Sequence, residues 1–159
     1  VELVEMNGRE TIFKDRLKGV KDLYDFVIID CPPSLGLLTL NALTATDSLL
    51  VPLQCEYFAM EGLKMLINTM KRVQKTLNPS LHIEGILLTM FDGRNNLSNQ
   101  VSSEIRSHFG SLVFTTTIPR NITLAEAPSH GLPVLYYSAV SRGAKAYLSL
   151  AEEILSRSD

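Results

Sequence analysis

The sequence predicts an α/β fold in which helices flank a mainly parallel, doubly wound sheet. Short runs of large apolar residues, such as Phe26–Ile29 and Ile86–Leu88, lack polar alternation and are typical of strands buried on both faces. Segments with apolar residues at helical spacing alternate with these runs, which favours parallel strands joined by helical crossovers. A chain of 159 residues is also long enough for one core, so we expect residues 1–159 to form a single domain.

The first half of the chain is predicted to contain three strands and three helices. Asn7-Gly8 is a turn signal, the four apolar residues Phe26–Ile29 are bounded by Asp30, and Asn78-Pro79 ends the longest helix. Gly19 is a weak point in the first helix. The predicted elements are a strand at 1–5, a helix at 9–23, strands at 26–29 and 47–54, and helices at 37–45 and 57–77.

The second half continues the same alternation. Ser98 is a candidate cap for the next helix, and Gly110 is placed to end it. Pro119 and Asn121 directly follow the last strand. The predicted elements are strands at 83–90 and 113–118, helices at 98–109 and 143–157, a helical turn at 123–127 and an extended piece at 134–137.

Composition excludes several classes of function. The chain is 45% apolar and 20% charged with a net charge of -2, so any contact with nucleic acid would have to be a local patch. Cys31 and Cys55 form no CxxC pair, which leaves no zinc or iron–sulfur ligand set. The sequence contains no 18-residue apolar run and no signal peptide, so we expect no membrane span and a cytoplasmic location.

Asp30 is the first candidate site residue, because it ends a predicted buried strand. Ligands of open α/β sheets bind beyond the carboxyl ends of the strands. A carboxylate there, followed by the stiff Pro32-Pro33 pair, can hold Mg²⁺ or its waters beside a nucleotide phosphate. The alternative is that Asp30 only caps the turn or the following helix.

Four segments resemble signatures of the ParA/Soj family of partitioning ATPases, and they occur in the family's order. Asp30–Ala45, DCPPSLGLLTLNALTA, is similar to the switch II (Walker B) segment. Thr89–Val101, Thr117–Val134 and Ser141–Glu153 are similar to three further signatures. The resemblance extends over nearly the whole chain, and it implies an incomplete P-loop NTPase-type fold.

The resemblance also implies a function. Intact ParA/Soj-like proteins bind ATP with Mg²⁺, form homodimers and bind DNA nonspecifically on the nucleoid. They hydrolyse ATP when a ParB-like partner stimulates them, and they partition chromosomes or plasmids. By this resemblance Asp30 is the catalytic aspartate, acting on Mg²⁺ through water, and Gly36 lets its loop move with the γ-phosphate.

The same resemblance assigns roles to three other residues. Pro119 and Asn121 would contact adenine, and the alternative for them is turn chemistry with a helix cap by Asn121. Arg94 would contact DNA, although a loop arginine can also be merely solvated. The family often carries a second arginine where this chain has Thr123.

A glycine-rich phosphate loop is missing from this sequence. No two of its nine glycines lie closer than eight positions, so neither GxxxxGK[ST] nor GxGxxG is present. The family carries its phosphate loop upstream of anything that resembles Val1. We therefore expect the chain to be the C-terminal two thirds of a ParA-like ATPase domain and to be inactive alone. The alternative is a non-catalytic fragment or interaction module.

The remaining charged residues give weaker signals. Lys71, Arg72 and Lys75 could extend a basic patch, but a solvated helix face explains them too. Glu152 and Glu153 are expected on the exposed side of the last helix, unlike the basic membrane-targeting helix of MinD-like proteins. His130 is expected to be structural or to contact a second copy.

Overall fold

The computed structural model describes residues 2–32, 34 and 36–158, without the side chains of Glu2 and Ser158. The chain divides into two compact units. The first comprises Val1–Leu49 and Lys64–Ile83, and the second comprises Leu50–Leu63 and Glu84–Asp159. The single domain expected over residues 1–159 stays a prediction.

Helices and strands alternate over residues 37–126, while the described residues before and after this part are helical or irregular. The described residues also include four short 3-10 segments, the first at Glu2–Glu5 and another at Ala127–His130. The strands are β1 (Ser48–Gln54), β2 (His82–Phe91) and β3 (Val113–Pro119). The α-helices are α1 (Ile12–Leu17), α2 (Leu37–Ala45), α3 (Ala59–Thr76), α4 (Asn96–Phe109), α5 (Ile122–Glu126), α6 (Val134–Tyr137) and α7 (Arg142–Ser158).

The sheet has the strand order β1-β2-β3, and β2 pairs with β3 in parallel. This arrangement confirms the predicted α/β class. The register is irregular, because Ile86 pairs with Val113 and Leu88 pairs with Thr117. An advance of two residues along β2 therefore matches an advance of four along β3, as in a bulge. Phe91 then pairs with Pro119, so the two strands end together.

Most predicted elements are confirmed to within about two residues. The helix over 37–45 has the predicted bounds. The cap of α4 is an exception, because Asn95 and not Ser98 accepts the backbone N–H of Leu97, at 2.9 Å. Ser98 is instead buried and accepts the N–H of Asp92 at 3.4 Å.

Three other local predictions are wrong. Residues 2–5 form a 3-10 helix and not a strand, while Val1 lies outside the described residues. The helix over 9–23 is shorter, since α1 ends at Leu17, before Gly19. Residues 134–137 are helical because Pro133 fixes the entry to the turn. Its carbonyl accepts the N–H groups of Tyr136 and Tyr137 at 2.9 and 3.0 Å.

The predicted strand at Phe26–Ile29 is also wrong. The segment is irregular and belongs to no sheet formed by the described residues. Phe26, Val27 and Ile28 are 54%, 38% and 92% exposed. A strand exists only where its N–H and C=O groups pair with a neighbouring strand, and apolar composition does not supply that neighbour.

The first unit has a small apolar core of its own. Its buried members are Leu43, Met70, Val73 and Leu81. The side chain of Asn78 is buried and donates to the carbonyls of Leu43 and Thr46, at 3.0 and 2.7 Å. This amide fixes the end of α2, because a buried polar group must keep its partners.

The core of the second unit lies between the sheet and α7. Leu87, Phe114, Ile118 and Leu150 form it. Gly85 on β2 permits the close approach of Phe114, since a Cβ at that position would lie 2.3 Å from Cε2 of the ring. The packing therefore requires a residue without a side chain there.

Glu153 fastens β3 to α7, which corrects its predicted exposure. Its carboxylate accepts the N–H groups of Thr115 and Thr116 at 2.7 and 2.8 Å and binds Arg157 at 2.8 Å. Burial raises the pKa of Glu153, but these hydrogen bonds outweigh that effect and hold it at about 2. The two threonines lie where the register of β3 shifts, so Glu153 satisfies N–H groups in the irregular part of the strand.

Candidate functional site

Asp30 lies in the first unit, beyond the irregular Phe26–Ile29 segment. Its side chain is exposed, whereas Ile29 before it is partly buried. Burial together with the charge of Asp30 raises the pKa of the Cys31 thiol. Pro33, part of the predicted stiff loop, lies outside the described residues. The sequence predicts Asp30 at the end of a strand, but residues 26–29 before it form no strand in this structure.

The carboxyl ends of β2 and β3 lie side by side in the second unit. Phe91 pairs with Pro119, and the backbone N–H of Arg120 donates to the carbonyl of Phe91 at 3.1 Å. The loop after β2 and the loop after β3 therefore leave the same edge of the sheet. This edge brings together three of the four predicted site residues: Arg94, Pro119 and Asn121.

Arg94 is held by an acidic neighbour in its own loop. Its Nε and Nη2 donate to the two carboxylate oxygens of Asp92, each at 3.0 Å, and its backbone N–H donates to Oδ1 at 3.1 Å. The Arg94 side chain is nevertheless 92% exposed. The hydrogen bond from Arg94 is the largest of the effects that lower the pKa of Asp92 to about 2.

Asn121 caps a helix in this structure. Its side-chain oxygen accepts the backbone N–H of Leu124 at 3.3 Å, at the start of α5. Pro119 and Asn121 are both partly buried. The capping interpretation of Asn121 is thus confirmed, while contact of Pro119 and Asn121 with adenine stays a prediction.

Two features of this edge were missed by the sequence reasoning. Arg120 lies close enough to Asp92 for its charge to contribute to the lowered pKa of that carboxyl, so a second arginine acts on Asp92 besides Arg94. The sequence signal that could have indicated Arg120 is its position between the two predicted site residues Pro119 and Asn121. Met90 has φ of +52°, which non-glycine residues rarely adopt. No sequence pattern indicates this turn at the end of β2.

The described residues fit Mg²⁺ only in part. Within residues 2–32, 34 and 36–158, no three His, Cys, Asp or Glu side chains are grouped so that they could hold a metal ion. Asp30 offers a single exposed carboxylate. Magnesium sites are commonly built from one or two carboxylates together with substrate phosphates and water. Asp30 therefore fits a water-mediated ligand of phosphate-bound Mg²⁺ and does not form a metal site by itself.

Residues outside this edge have simpler roles. Lys71, Arg72 and Lys75 are exposed on α3, as a solvated helix face would be. His130 stacks on Tyr137 with ring centroids 4.8 Å apart, which is a structural contact. No helix in the described part of the chain is both long and apolar enough to cross a bilayer.

Comparison with known proteins identifies the family. A family model described as an AAA domain matches residues 1–83, which is over half of the chain. The sporulation initiation inhibitor protein Soj of Bacillus subtilis is 56% identical over 154 residues, which cover 97% of this chain. This chain belongs to the ParA/Soj family. The chromosome-partitioning ATPase Soj of Treponema pallidum is 54% identical over 157 residues, or 99% of this chain.

A solved structure of the same fold also resembles this chain. The cobyrinic acid a,c-diamide synthase of Mycobacterium smegmatis, with a bound ATP analogue and magnesium, superposes with a TM-score of 0.77 at 36% identity. The match covers 97% of this chain and 56% of that one. The chain likewise spans 61% and 62% of the two Soj proteins. The assignment to the ParA/Soj family is therefore based on a match to about three fifths of the length of these relatives.

Proposed function

We propose that this chain acts as part of a ParA/Soj-like ATPase in chromosome or plasmid partitioning. The observation that carries the proposal is the 56% identity to Bacillus subtilis Soj over 97% of the chain. Agreement of this extent covers both units and all four predicted site residues.

In the proposed role, the intact protein binds ATP with Mg²⁺, forms a homodimer and binds DNA nonspecifically. A ParB-like partner stimulates hydrolysis, and the protein is cytoplasmic and associated with the nucleoid. Bound Mg²⁺ would neutralise charge on the phosphates. Asp30 would orient one of its waters, Pro119 and Asn121 would contact adenine, and Arg94 would contact DNA phosphates.

The partial burial of Pro119 and Asn121 at a strand edge supports the adenine contact. Asn121 uses its side-chain oxygen for the α5 cap. Its amide nitrogen is chemically suited to donate to a ring nitrogen of a purine. The 92% exposure of Arg94 supports the DNA contact, since a phosphate can reach this side chain without any rearrangement of the backbone.

A second function is favoured by one observation. The sequence has no glycine-rich phosphate loop, because its nine glycines are widely spaced. A module that keeps DNA or partner contacts without hydrolysing ATP fits that composition. The two functions differ in whether these 159 residues support ATP hydrolysis once a phosphate-loop segment is joined to them.

The deciding experiment is calorimetry of Mg-ATP binding to three proteins. They are this chain, a chimera that adds the unmatched part of Bacillus subtilis Soj, and the chimera with Asp30→Ala. We expect no measurable heat for the chain and both binding and hydrolysis for the chimera. Asp30→Ala should lower hydrolysis by about 100-fold or more, because misplaced charge neutralisation raises the barrier by several kcal/mol. A chimera that binds ATP but hydrolyses nothing would favour the non-catalytic module.

A further inference from the structure

The ion pair between Asp92 and Arg94 is better defined than most surface ion pairs. Exposed pairs contribute little when two long side chains must be ordered to form them. Here the carboxylate is short, only 30% exposed, and also accepts the backbone N–H of Arg94 at 3.1 Å. Both partners belong to one tight loop, so Asp92 is already in position and only the arginine side chain has to be ordered.

The ion pair occupies the Nε–Nη2 edge of the guanidinium. Arginine has five N–H donors, and it binds carboxylate or phosphate through pairs of parallel hydrogen bonds. Nε and Nη2 of Arg94 form such a pair with Asp92, at 3.0 Å each. A DNA phosphate that requires the same two donors must displace the carboxylate.

Asp92 also changes the charge of this edge. The positive charge of Arg120 acts on Asp92 as well as that of Arg94. With Asp92 ionised, the three side chains carry one net positive charge, and without it they would carry two. Affinity for DNA depends on the number of cations that replace condensed counterions, so one carboxylate here weakens binding.

From this geometry we infer that Asp92 restrains the DNA contact of Arg94 by occupying its guanidinium and cancelling its charge. The inference rests on the proposed function, since it concerns the residue assigned there to DNA. Asp92 thereby keeps the nonspecific affinity for DNA low. That affinity then depends strongly on whether Arg94 is paired with Asp92 or with a DNA phosphate. Asp92 is a positioning residue here, because it does not contact DNA and acts mainly by holding the donors of Arg94.

The test is fluorescence anisotropy of this chain with a labelled random-sequence duplex, from low to moderate salt. Asp92→Asn keeps the shape of the side chain and removes its charge. We expect it to bind about 5- to 10-fold more tightly than the parent at low salt, with a salt slope steeper by up to about one unit. Arg94→Ala should weaken binding, and the double variant should regain only the small part that comes from loss of the Asp92 charge beside Arg120.

Two further variants control for the change in net charge and for loss of stability. Asp15→Asn removes the same charge from another exposed pair, Asp15 with Lys18 at 2.8 Å, and should leave binding within about twofold. Asp92→Ser also removes the carboxylate that pairs with Arg94, and it replaces Asp92→Asn if that variant proves unstable in thermal unfolding. Equal gains from Asp15→Asn and Asp92→Asn would reduce the effect to net charge and overturn the inference.

The remaining outcomes separate this inference from the proposed function. If Arg94→Ala weakens binding while Asp92→Asn changes nothing or weakens it, the DNA contact stands and the restraint by Asp92 is wrong. If Arg94→Ala has no effect, the proposed DNA contact fails, and the inference fails with it. Absence of binding by Asp92→Asn as well as the parent would also overturn the inference, because releasing Arg94 would then expose no DNA site.

Discussion

The segments Phe26–Ile29 and Ile86–Leu88 are alike in sequence and differ in environment. Ile86 and Leu88 are fully buried in β2, between two neighbouring strands. Ile28 is 92% exposed, and its segment pairs with no strand in the described residues. The difference teaches that consecutive apolar residues indicate a capacity for burial, while strand neighbours on both sides decide whether burial occurs.

The largest expected effect comes from truncating equivalent side chains in the two runs. Leu88→Ala should lower the free energy of unfolding by about 2–5 kcal/mol, since it leaves a cavity between β2 and its neighbours. Ile28→Ala should change it by less than about 0.5 kcal/mol, because an exposed side chain loses little. Urea unfolding followed by circular dichroism measures both. A similar cost at the two positions would show that Ile28 is buried in solution and would remove the contrast.

A second prediction concerns the close approach of Phe114 to Gly85 on β2, which the largely exposed Phe26–Ile29 run does not have. Gly85→Ala should destabilise the protein by about 1–3 kcal/mol, because the added methyl group would overlap the buried Phe114 ring. Gly62→Ala is the control, since an added Cβ on this exposed helical residue meets nothing within 4 Å. The control should be stabilised by up to about 1 kcal/mol. Equal thermal midpoints for Gly85→Ala and the parent would contradict the packing described here.

The third prediction tests how Glu153 on α7 holds β3. Glu153→Gln should cost about 2 kcal/mol at pH 7, because a neutral amide accepts the two threonine N–H groups less strongly and loses the charge pair with Arg157. Glu152→Gln, an exposed neighbour on α7, is the matched control and should be neutral.

The contribution of Glu153 should also depend on pH. Its pKa is lowered in the folded protein to about 2, so the unfolded chain binds its proton first as the pH falls. The stabilisation is therefore complete above about pH 5 and is lost between about pH 5 and pH 2. The parent should approach the stability of Glu153→Gln over that range in urea titrations. A constant difference between them from pH 7 to pH 3 would rule out an ionised Glu153 as the cause.

The smallest expected effect on stability is that of a charge placed on the exposed run. Ile28→Lys should leave the free energy of unfolding within about 0.5 kcal/mol of the parent. It should reduce binding of a hydrophobic dye and any self-association, because it interrupts an exposed apolar stretch. Light scattering and dye fluorescence measure these two properties. Unfolding of the Ile28→Lys variant would instead show that the side chain is buried.

The sequence alone determined the α/β class, the bounds of α2 and, to within one residue, the ends of β2 and β3. These depend on local periodicity and on turn residues such as Gly110 and Asn78-Pro79, which act over a few positions. It also indicated the ParA/Soj family and placed Arg94, Pro119 and Asn121 after strands. The structure adds that these two strands are parallel neighbours, which puts the three residues at one edge.

Only the tertiary structure decided which side chains meet. The charge of Arg120 beside Asp92 depends on how two loops leave the sheet together. The pairing of Arg94 with Asp92 and the positive φ of Met90 depend on the backbone conformation that the loop after β2 adopts in the fold. Glu153 looked exposed in the helical pattern, yet it is fixed by the irregular register of β3. Phe26–Ile29 shows the same limit, because strand pairing joins residues distant in sequence and no local pattern encodes the partner.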